Sequence, residues 1–105
     1  MKNSISSSSF SKIFNNSRLI SCDKILFRVY RGPELKSSLV SFAINKKLGH
    51  AHERNLFKRR MRALFKNCFV ENNDKIAMII IPKSINLGWN NMRNSFELLK
   101  KKYND

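Results

Sequence analysis

Alternating hydrophobic residues between positions 24 and 30 predict a β-strand. Ile25, Phe27 and Val29 are spaced two apart, so they lie on one face of an extended chain and can pack against a core. The opposite face carries an aliphatic, a cationic and an aromatic side chain, which are Leu26, Arg28 and Tyr30. That mixture makes the second face a candidate binding surface rather than mere solvent exposure.

Three further segments complete a predicted sheet of about four strands. A short strand is expected near residues 18–21 and another at residues 39–44, which are too apolar for an edge strand exposed on both faces. The continuous aliphatic run at residues 76–81 stops at Pro82 and is typical of a buried strand. A Gly-Pro turn at residues 32–33 closes the strand at residues 24–30.

Hydrophobic residues three and four apart predict three helices. The first follows a serine-rich tract, which we expect to be frayed over residues 1–8 and to cap the helix with Ser8 or Ser9. The second follows Gly49 and runs to about residue 70, and the third occupies residues 87–103. Their apolar stripes consist of Phe10, Ile13 and Phe14, of Phe57, Met61, Leu64, Phe65 and Cys68, and of Trp89, Met92, Phe96 and Leu99.

The order of these elements, α-β-β-β-α-β-α, indicates an α/β fold. We predict a two-layer α-β sandwich in which three helices pack on a mixed sheet of about four strands. A chain of 105 residues has the size of one domain, which we place at residues 1–105. Two distant cysteines, Cys22 and Cys68, show no pairing pattern and fit a reducing compartment, so we expect a cytoplasmic protein.

The charge of the chain points to a polyanionic partner. Lys and Arg number 21 against 7 Asp and Glu, which gives a formal net charge of +14. Such an excess costs folding free energy through self-repulsion, and a partner that neutralises it is the common reason for it. Nucleic acid is therefore expected ahead of an anionic membrane surface, and the longest apolar run is too short to span a bilayer.

Cations of the second helix form a stripe beside its apolar face. At about 100° of rotation per residue they fill an arc of roughly 140° next to the buried arc. Like charge recurs at every fourth position from Arg54 to Lys66, which destabilises a helix, and Glu53 is the one acid before the helix end. Phosphate groups would supply the missing counter-charge. The predicted RNA-binding set, here called the basic stripe, is Lys46, Lys47, Arg54, Asn55, Lys58, Arg59, Arg62 and Lys66.

The chain offers no catalytic site of its own. His50 and His52 beside Glu53 resemble part of a metal site, but no further ligand completes a tetrahedral set and neighbouring cations repel a divalent ion. No combination of Ser, His and an acid favours nucleophilic catalysis, and the scattered acids form no obvious carboxylate pair. We therefore expect no catalytic side chain and no metal held by the protein.

The segment SFAINKKLGHAHERNLFKRRMRALF, residues 41–65, resembles the signature of the bacterial ribonuclease P protein subunit. That family has a strand ending in Ser-Lys-Lys, a Val-Gly turn, and a helix opening with Arg-Asn-Arg, an aliphatic residue and Lys-Arg. The likeness extends to SFSKIF at residues 9–14 and DKIAMIIIPKS at residues 74–84. The matching signature positions are Lys46, Lys47, Gly49, Arg54, Asn55, Lys58, Arg59, Arg62 and Phe65.

Two positions depart from the family signature. Asn45 stands where serine is usual, and Leu56 replaces the second arginine of Arg-Asn-Arg. Leu56 projects about 200° from Arg54, beyond the centre of the basic arc. The change should therefore weaken one contact without removing the basic stripe.

The resemblance implies a left-handed βαβ crossover through the basic helix, although right-handed crossovers are the general rule. It also implies that the chain is the protein subunit of a ribonucleoprotein endoribonuclease. Its partners would be the catalytic ribonuclease P RNA and precursor tRNA, with no membrane and no protein partner inferred. The RNA would perform catalysis with bound Mg²⁺.

In this family the single-stranded 5′ leader of precursor tRNA lies in a cleft between the first helix and the sheet. The residues that would line it here are Phe10, Lys12, Phe14, Leu26, Arg28 and Tyr30. Unpaired bases stack on aromatic side chains for about 1–3 kcal/mol each, and Lys12 could reach a leader phosphate. The alternative is that both phenylalanines belong to the core.

A small basic ribosomal or RNA-chaperone-like protein is the main alternative function. A purely electrostatic binder would tolerate scrambling of the basic stripe at constant charge, whereas the ribonuclease P function requires Asn55 and the helix register. A peripheral membrane protein would need large apolar residues beside the cations, and Leu56 alone gives little support for one.

Overall fold

A computed structural model describes residues 5–70 and 75–103, apart from the side chains of residues 7 and 70. The predicted order of three helices and four strands is confirmed. The helices are α1 (Ser7–Asn16), α2 (Ala51–Phe65) and α3 (Trp89–Tyr103), and the strands are β1 (Arg18–Cys22), β2 (Ile25–Tyr30), β3 (Leu39–Phe42) and β4 (Ala77–Pro82). A 3-10 turn at Lys46–Leu48 precedes α2, and a π-helical turn at Lys66–Val70 follows it.

The strands form one mixed sheet in the order β1-β2-β4-β3. β1 pairs with β2, and β2 with β4, in antiparallel fashion, whereas β3 and β4 are parallel. The parallel pair is joined through α2, as the resemblance implies, and the hand of that crossover stays a prediction. β4 lies inside the sheet with Ala77, Met78, Ile79 and Ile80 fully buried, which explains its run of aliphatic residues.

The larger core lies between one face of the sheet and helices α2 and α3. Phe27 and Met78 project from the sheet into this core, where α2 contributes Phe57 and Met61. The ring of Phe96 on α3 meets Phe27 edge to face, with centroids 5.3 Å apart. α2 packs beside β3 and α3 beside β1, so the two helices cover opposite halves of this face.

The other face of the sheet is covered only in part, by α1. Ile5 and Ile13 bury themselves against Ala77 and Ile79 of β4 in a second, smaller core. Beyond α1 the sheet remains accessible, because Leu26 and Ile81 are only half-buried and Ser21 is exposed. We call this accessible part, together with the flank of α1 that carries Phe10 and Phe14, the cleft.

The beginning of α1 differs from the prediction. The helix starts at Ser7 with Ser6 as its N-cap, so the capping position predicted for Ser8 or Ser9 is wrong. Ile5 is only 8% exposed because its side chain packs in the smaller core, and the fraying expected for this segment stays a prediction. The part of the frayed segment at residues 1–4 lies outside the described residues.

One further boundary and the burial of one residue also differ from the prediction. β3 ends at Phe42 rather than at residue 44. Met92, Phe96 and Leu99 are buried as expected, but Trp89 is 38% exposed and does not belong to the core. Trp89 is the first residue of α3, where its ring has the Arg93 guanidinium 6.0 Å from its centroid.

Candidate nucleic-acid interface

The loop that enters α2 is held by local hydrogen bonds. The side-chain oxygen of Asn45 accepts a bond of 2.9 Å from the backbone N–H of Lys47 and caps the 3-10 turn. The backbone N–H of His50 donates to the Glu53 carboxylate, also at 2.9 Å, which satisfies a donor at the helix start. Asn45, the first departure from the family signature, therefore performs a capping role that serine can also perform.

Gly49 stands at a close approach in this loop, where a larger residue would require a shift of the Ile85 methyl group. A Cβ atom at this position would lie 2.8 Å from the terminal methyl carbon of Ile85 and 3.3 Å from a Glu53 carboxylate oxygen. The backbone at Gly49 is extended, so the constraint is one of space and not of conformation. The tight packing places the exposed cations Lys46 and Lys47 directly before α2.

The basic stripe runs along α2 beside the edge strand β3. Asn55, Arg59 and Lys66 are exposed, and Lys58 is half-buried. None of the α2 cations has a carboxylate within 4.0 Å in the part of the chain that the structure describes, where the one ion pair joins Lys12 and Glu34. The stripe is thus a coherent positive surface without internal counter-charge.

Arg54 and Arg62 sit deeper than the sequence pattern indicated. Both are half-buried, and their Nε atoms are buried without a hydrogen-bond partner among the described residues. The Arg62 guanidinium carbon lies 5.1 Å from the centroid of the Phe42 ring on β3. Phe42 in turn meets Phe57 edge to face at 6.4 Å. The Phe42 ring on the edge strand therefore orients Arg62. A helical projection contains no information about this contact, because Phe42 lies on a different element.

Leu56 lies away from the basic stripe, as its projection predicts. It is half-buried, and Arg60 follows it one turn later with similar exposure. Arg60 projects about 160° from Arg62, since two residues along a helix rotate by about 200°. These two residues therefore belong to a different side of α2.

Phe14, Phe10 and Arg28 form one layered group in the cleft. The ring centroids of Phe10 and Phe14 are 6.0 Å apart with an interplanar angle of 21°. The Arg28 guanidinium carbon lies 4.2 Å above the Phe14 ring, and one of its nitrogens is 3.4 Å from both the Phe14 carbonyl oxygen and the Ser17 hydroxyl. Arg28 thus covers a face of Phe14 and presents its own planar group, while Leu26 continues the surface along β2.

Lys12 lies with Glu34 rather than with the phenylalanines, whereas Tyr30 packs against the smaller core together with Phe10 and Phe14. The Lys12 Nζ atom is 3.4 Å from the Glu34 carboxylate, which also accepts a hydrogen bond from the Tyr30 hydroxyl. That bond raises the pKa of Tyr30 and lowers the pKa of Glu34. Lys12 is two residues from both Phe10 and Phe14, so it projects from the other flank of α1. Of the six predicted cleft residues, Lys12 is therefore the one that projects away from the cleft.

Residues 5–70 and 75–103 contain no candidate metal site. No group of three or more His, Cys, Asp or Glu side chains could hold a metal ion there. His50 and His52 instead stack in parallel, with centroids 5.8 Å apart. Desolvation raises the pKa of the Cys22 and Cys68 thiols, which opposes nucleophilic activation. Within the same part of the chain, no helix has the length and apolar character of a membrane span.

Solved structures of other proteins share this fold. The Staphylococcus aureus RNase P protein superposes with a TM-score of 0.81 at 20% identity, covering 98% of this chain and 95% of the other. The RNase P protein from Thermotoga maritima gives a TM-score of 0.77 at 16% identity, with coverage of 95% and 96%.

Sequence comparisons point in the same direction. A ribonuclease P protein component from Phytoplasma australiense is 32% identical over 87 residues, covering 79% of this chain and 76% of the relative. A second, from Finegoldia magna, is 40% identical over 48 residues, covering 46% and 42%. The family model described as Ribonuclease P matches residues 4–104. A match over nearly the whole length, on a chain with the same fold and a continuous basic helix, shows that this protein belongs to the ribonuclease P protein family.

Proposed function

We propose that this chain is the RNA-binding subunit of ribonuclease P and assists the removal of 5′ leaders from precursor tRNA. The observation that carries the proposal is the basic stripe, which has no carboxylate partner among the described residues. Like charges held side by side on one helix raise the energy of the free protein, and binding to a polyanion relieves this.

The basic stripe is the proposed contact with the catalytic RNA. Arg54 and Arg62 are half-buried and have buried Nε atoms, so their side chains have less freedom than fully exposed ones. A planar guanidinium binds two phosphate oxygens at once, and less entropy is lost when it is already oriented. Asn55, exposed between them, offers an amide for a sugar or backbone group.

The cleft is the proposed site of the single-stranded leader. Its accessible groups are the outer side of the Arg28 guanidinium, the ring of Phe10 and the half-buried side chain of Leu26. Both aromatic rings and guanidinium planes provide stacking surfaces for unpaired bases without selecting a sequence. This property suits a site that must accept leaders of different sequence.

Chemistry is proposed to reside in the RNA. The part of the chain that the structure describes contains no cluster of metal ligands, and the surface expected to face nucleic acid is cationic. Such a surface repels Mg²⁺, so the ions would be held by phosphate groups of the catalytic RNA and the substrate. The protein contributes binding, and no proton transfer or bond cleavage is assigned to its side chains.

The first experiment is reconstitution. The purified chain is added to its cognate ribonuclease P RNA at near-physiological magnesium, and precursor-tRNA cleavage is assayed with each component alone as control. We expect efficient cleavage only with both. Equal cleavage by the RNA alone and by the mixture would contradict the proposal.

The second experiment locates the RNA contact with a matched pair of variants on α2. Arg62→Ala should weaken binding to the catalytic RNA and make the plot of log affinity against log salt concentration shallower by about 0.7–0.9. Arg60→Ala removes the same charge from another side of the helix and should leave that slope unchanged. Equal effects of both variants would favour a purely electrostatic binder of the ribosomal or chaperone-like type.

A further inference from the structure

A second group of cations lies at the edge of the sheet farthest from the basic stripe. Arg18 on β1 donates a hydrogen bond of 3.3 Å to the backbone oxygen of Lys102 on α3, and the Lys102 Nζ atom donates one of 2.6 Å to the backbone oxygen of Ser21. The Arg31 guanidinium lies 5.1 Å from the Tyr103 ring centroid. We call Arg18, Arg31 and Lys102, all exposed, the distal patch.

The distal patch retains most of its hydrogen-bonding capacity. An arginine side chain has five N–H donors and a lysine three, and the two recorded bonds use one donor each. Both bonds end on neutral carbonyl groups, so the positive charges are not neutralised by them. Arg18, Leu19 and Lys102 also border a shallow recess on the outer side of β1. The patch is therefore fixed in place and still able to bind an anion.

The distal patch lies across the sheet from the basic stripe, on the side of β1 that carries α3. The strand order β1-β2-β4-β3 puts the stripe at the β3 edge and the distal patch at the β1 edge, about 14 Å away at about 4.8 Å per strand. Leu19, which is 50% exposed, lies directly opposite Arg28 in the register of β1 and β2. Leu19 thus extends the cleft face onto the edge strand, whereas Arg18 shares the α3 side with Ile20 and Cys22. The distal patch is therefore reached around the outer edge of β1.

We propose that the distal patch binds phosphates of the leader beyond the portion held in the cleft. This inference rests on the proposed function, which puts the catalytic RNA against the β3 edge and the proximal leader in the cleft. A strand that passes the flank of α1 and crosses Leu26 and Arg28 of β2 reaches the edge strand β1 next. There Leu19 offers apolar surface to a base and the distal patch offers positive charge to the backbone.

The test uses the reconstituted holoenzyme and three ligands with one tRNA body. They are the mature tRNA, a precursor with a leader of about 4 nucleotides and one with a leader of about 12, each precursor made non-cleavable at the scissile phosphodiester. The wild type should bind each longer ligand more tightly. Arg18→Gln combined with Lys102→Gln should lower the affinity for the long-leader precursor about tenfold, because two phosphate contacts are lost. The affinities for mature tRNA and the short-leader precursor should not change.

Glutamine keeps an N–H donor for each backbone carbonyl, so α3 should stay attached to β1. Lys75→Gln combined with Arg93→Gln is the matched control, since it removes the same charge from exposed positions elsewhere. If the first pair lowers the melting temperature, Arg31→Gln serves instead, because the contact recorded for Arg31 is with a ring.

An unchanged advantage of the long leader in the patch variant would overturn the inference, as would equal losses in the patch and control variants. A wild type that binds both precursors equally would also overturn it. The proposed function is judged separately by Phe14→Leu, which should reduce the difference between mature tRNA and the short-leader precursor. If Phe14→Leu leaves the affinity difference between mature tRNA and the short-leader precursor unchanged, while the patch variant behaves as expected, the cleft assignment is contradicted and the patch inference is not.

Discussion

Phe14 acts on the cleft through Arg28. Because the guanidinium lies on the ring, the ring itself is partly covered, and its role is to hold the cation flat and accessible. A cation over an aromatic ring contributes roughly 0.5–1 kcal/mol at an exposed site and more when desolvated. The pair therefore behaves as one unit, and substitution of either member should affect the other.

Phe14→Leu keeps an apolar side chain in the smaller core and removes the ring under Arg28. We expect affinity for precursor tRNA to fall about tenfold, or about 1.4 kcal/mol, with little change for mature tRNA. Equilibrium binding to the holoenzyme measures both. Arg28→Lys, which keeps the charge but not the plane, should show a similar selective loss; a normal affinity in both variants would contradict a stacking role.

The contact of Tyr30 with Glu34 makes the free energy of unfolding depend on pH in the acid range. Its hydrogen bond lowers the pKa of Glu34 in the folded state below the ordinary value of 4.5. Glu34 therefore contributes stability above about pH 4.5, and this contribution is lost as pH falls through the lower folded-state pKa. In acid titrations followed by circular dichroism, Glu34→Gln should reduce the loss of stability that the wild type shows below about pH 4.5. Tyr30→Phe should do so in part, and an identical curve for both variants and wild type would refute the linkage.

At the scale of elements, β3 and α2 form one packed unit in the proposed RNA interface. Phe42 of the edge strand lies under Arg62 and also packs on Phe57, so the strand sets the direction of a cation that belongs to the helix. An isolated α2 peptide would carry the same charges without this support. Its affinity for RNA should accordingly be weaker and more salt-dependent than that of the folded chain.

Phe42→Leu tests this support directly. The aliphatic side chain still fills space against Phe57, so we expect a stability loss of only about 1 kcal/mol by chemical denaturation. Affinity for the catalytic RNA should fall about two- to fivefold, the value of one cation–π contact. Arg62→Ala in the Phe42→Leu background should then cost less than in the wild type. Strictly additive losses would mean that the ring does not orient the arginine.

The sequence predicts the elements of this protein better than it predicts their contacts. Alternation identified β2, and a continuous aliphatic run identified β4, because burial on one or both faces imposes those patterns. The burial of Ile5 was not predicted, since a single apolar residue with a distant partner leaves no periodic signal. Trp89 has helical spacing but begins α3, where the exposed end of the helix leaves it uncovered.

The candidate site was predicted in part, for similar reasons. The basic stripe is a property of one helix, so its register could be read from spacing alone. The separation of Lys12 from Phe14 also follows from spacing, but the partner of Lys12, Glu34, lies in a loop whose position depends on the tertiary fold. The distal patch joins residues 84 positions apart in the chain and has no sequence signature.

At the scale of the whole molecule, a net charge of +14 on 105 residues should make stability dependent on salt. Ions screen exposed charges over about 10 Å at 0.1 M, so self-repulsion weakens as salt is added. Between low salt and about 0.5 M sodium chloride we expect the melting temperature of the free chain to rise by roughly 4 °C. Arg59→Gln combined with Lys66→Gln should reduce that rise, whereas a melting temperature that falls with salt would argue against repulsion as a dominant cost.

The position of β4 has a consequence for how the protein is made. This strand joins β2 and β3, yet it comes after both of them and after α2 in the chain. During synthesis the cationic helix therefore leaves the ribosome while its supporting edge strand still lacks its neighbour. Cellular RNA is therefore exposed to an incompletely folded chain at that stage. Only the synthesis of residues 77–82 completes the sheet and gives the positive segment a defined surface that can discriminate among nucleic acids.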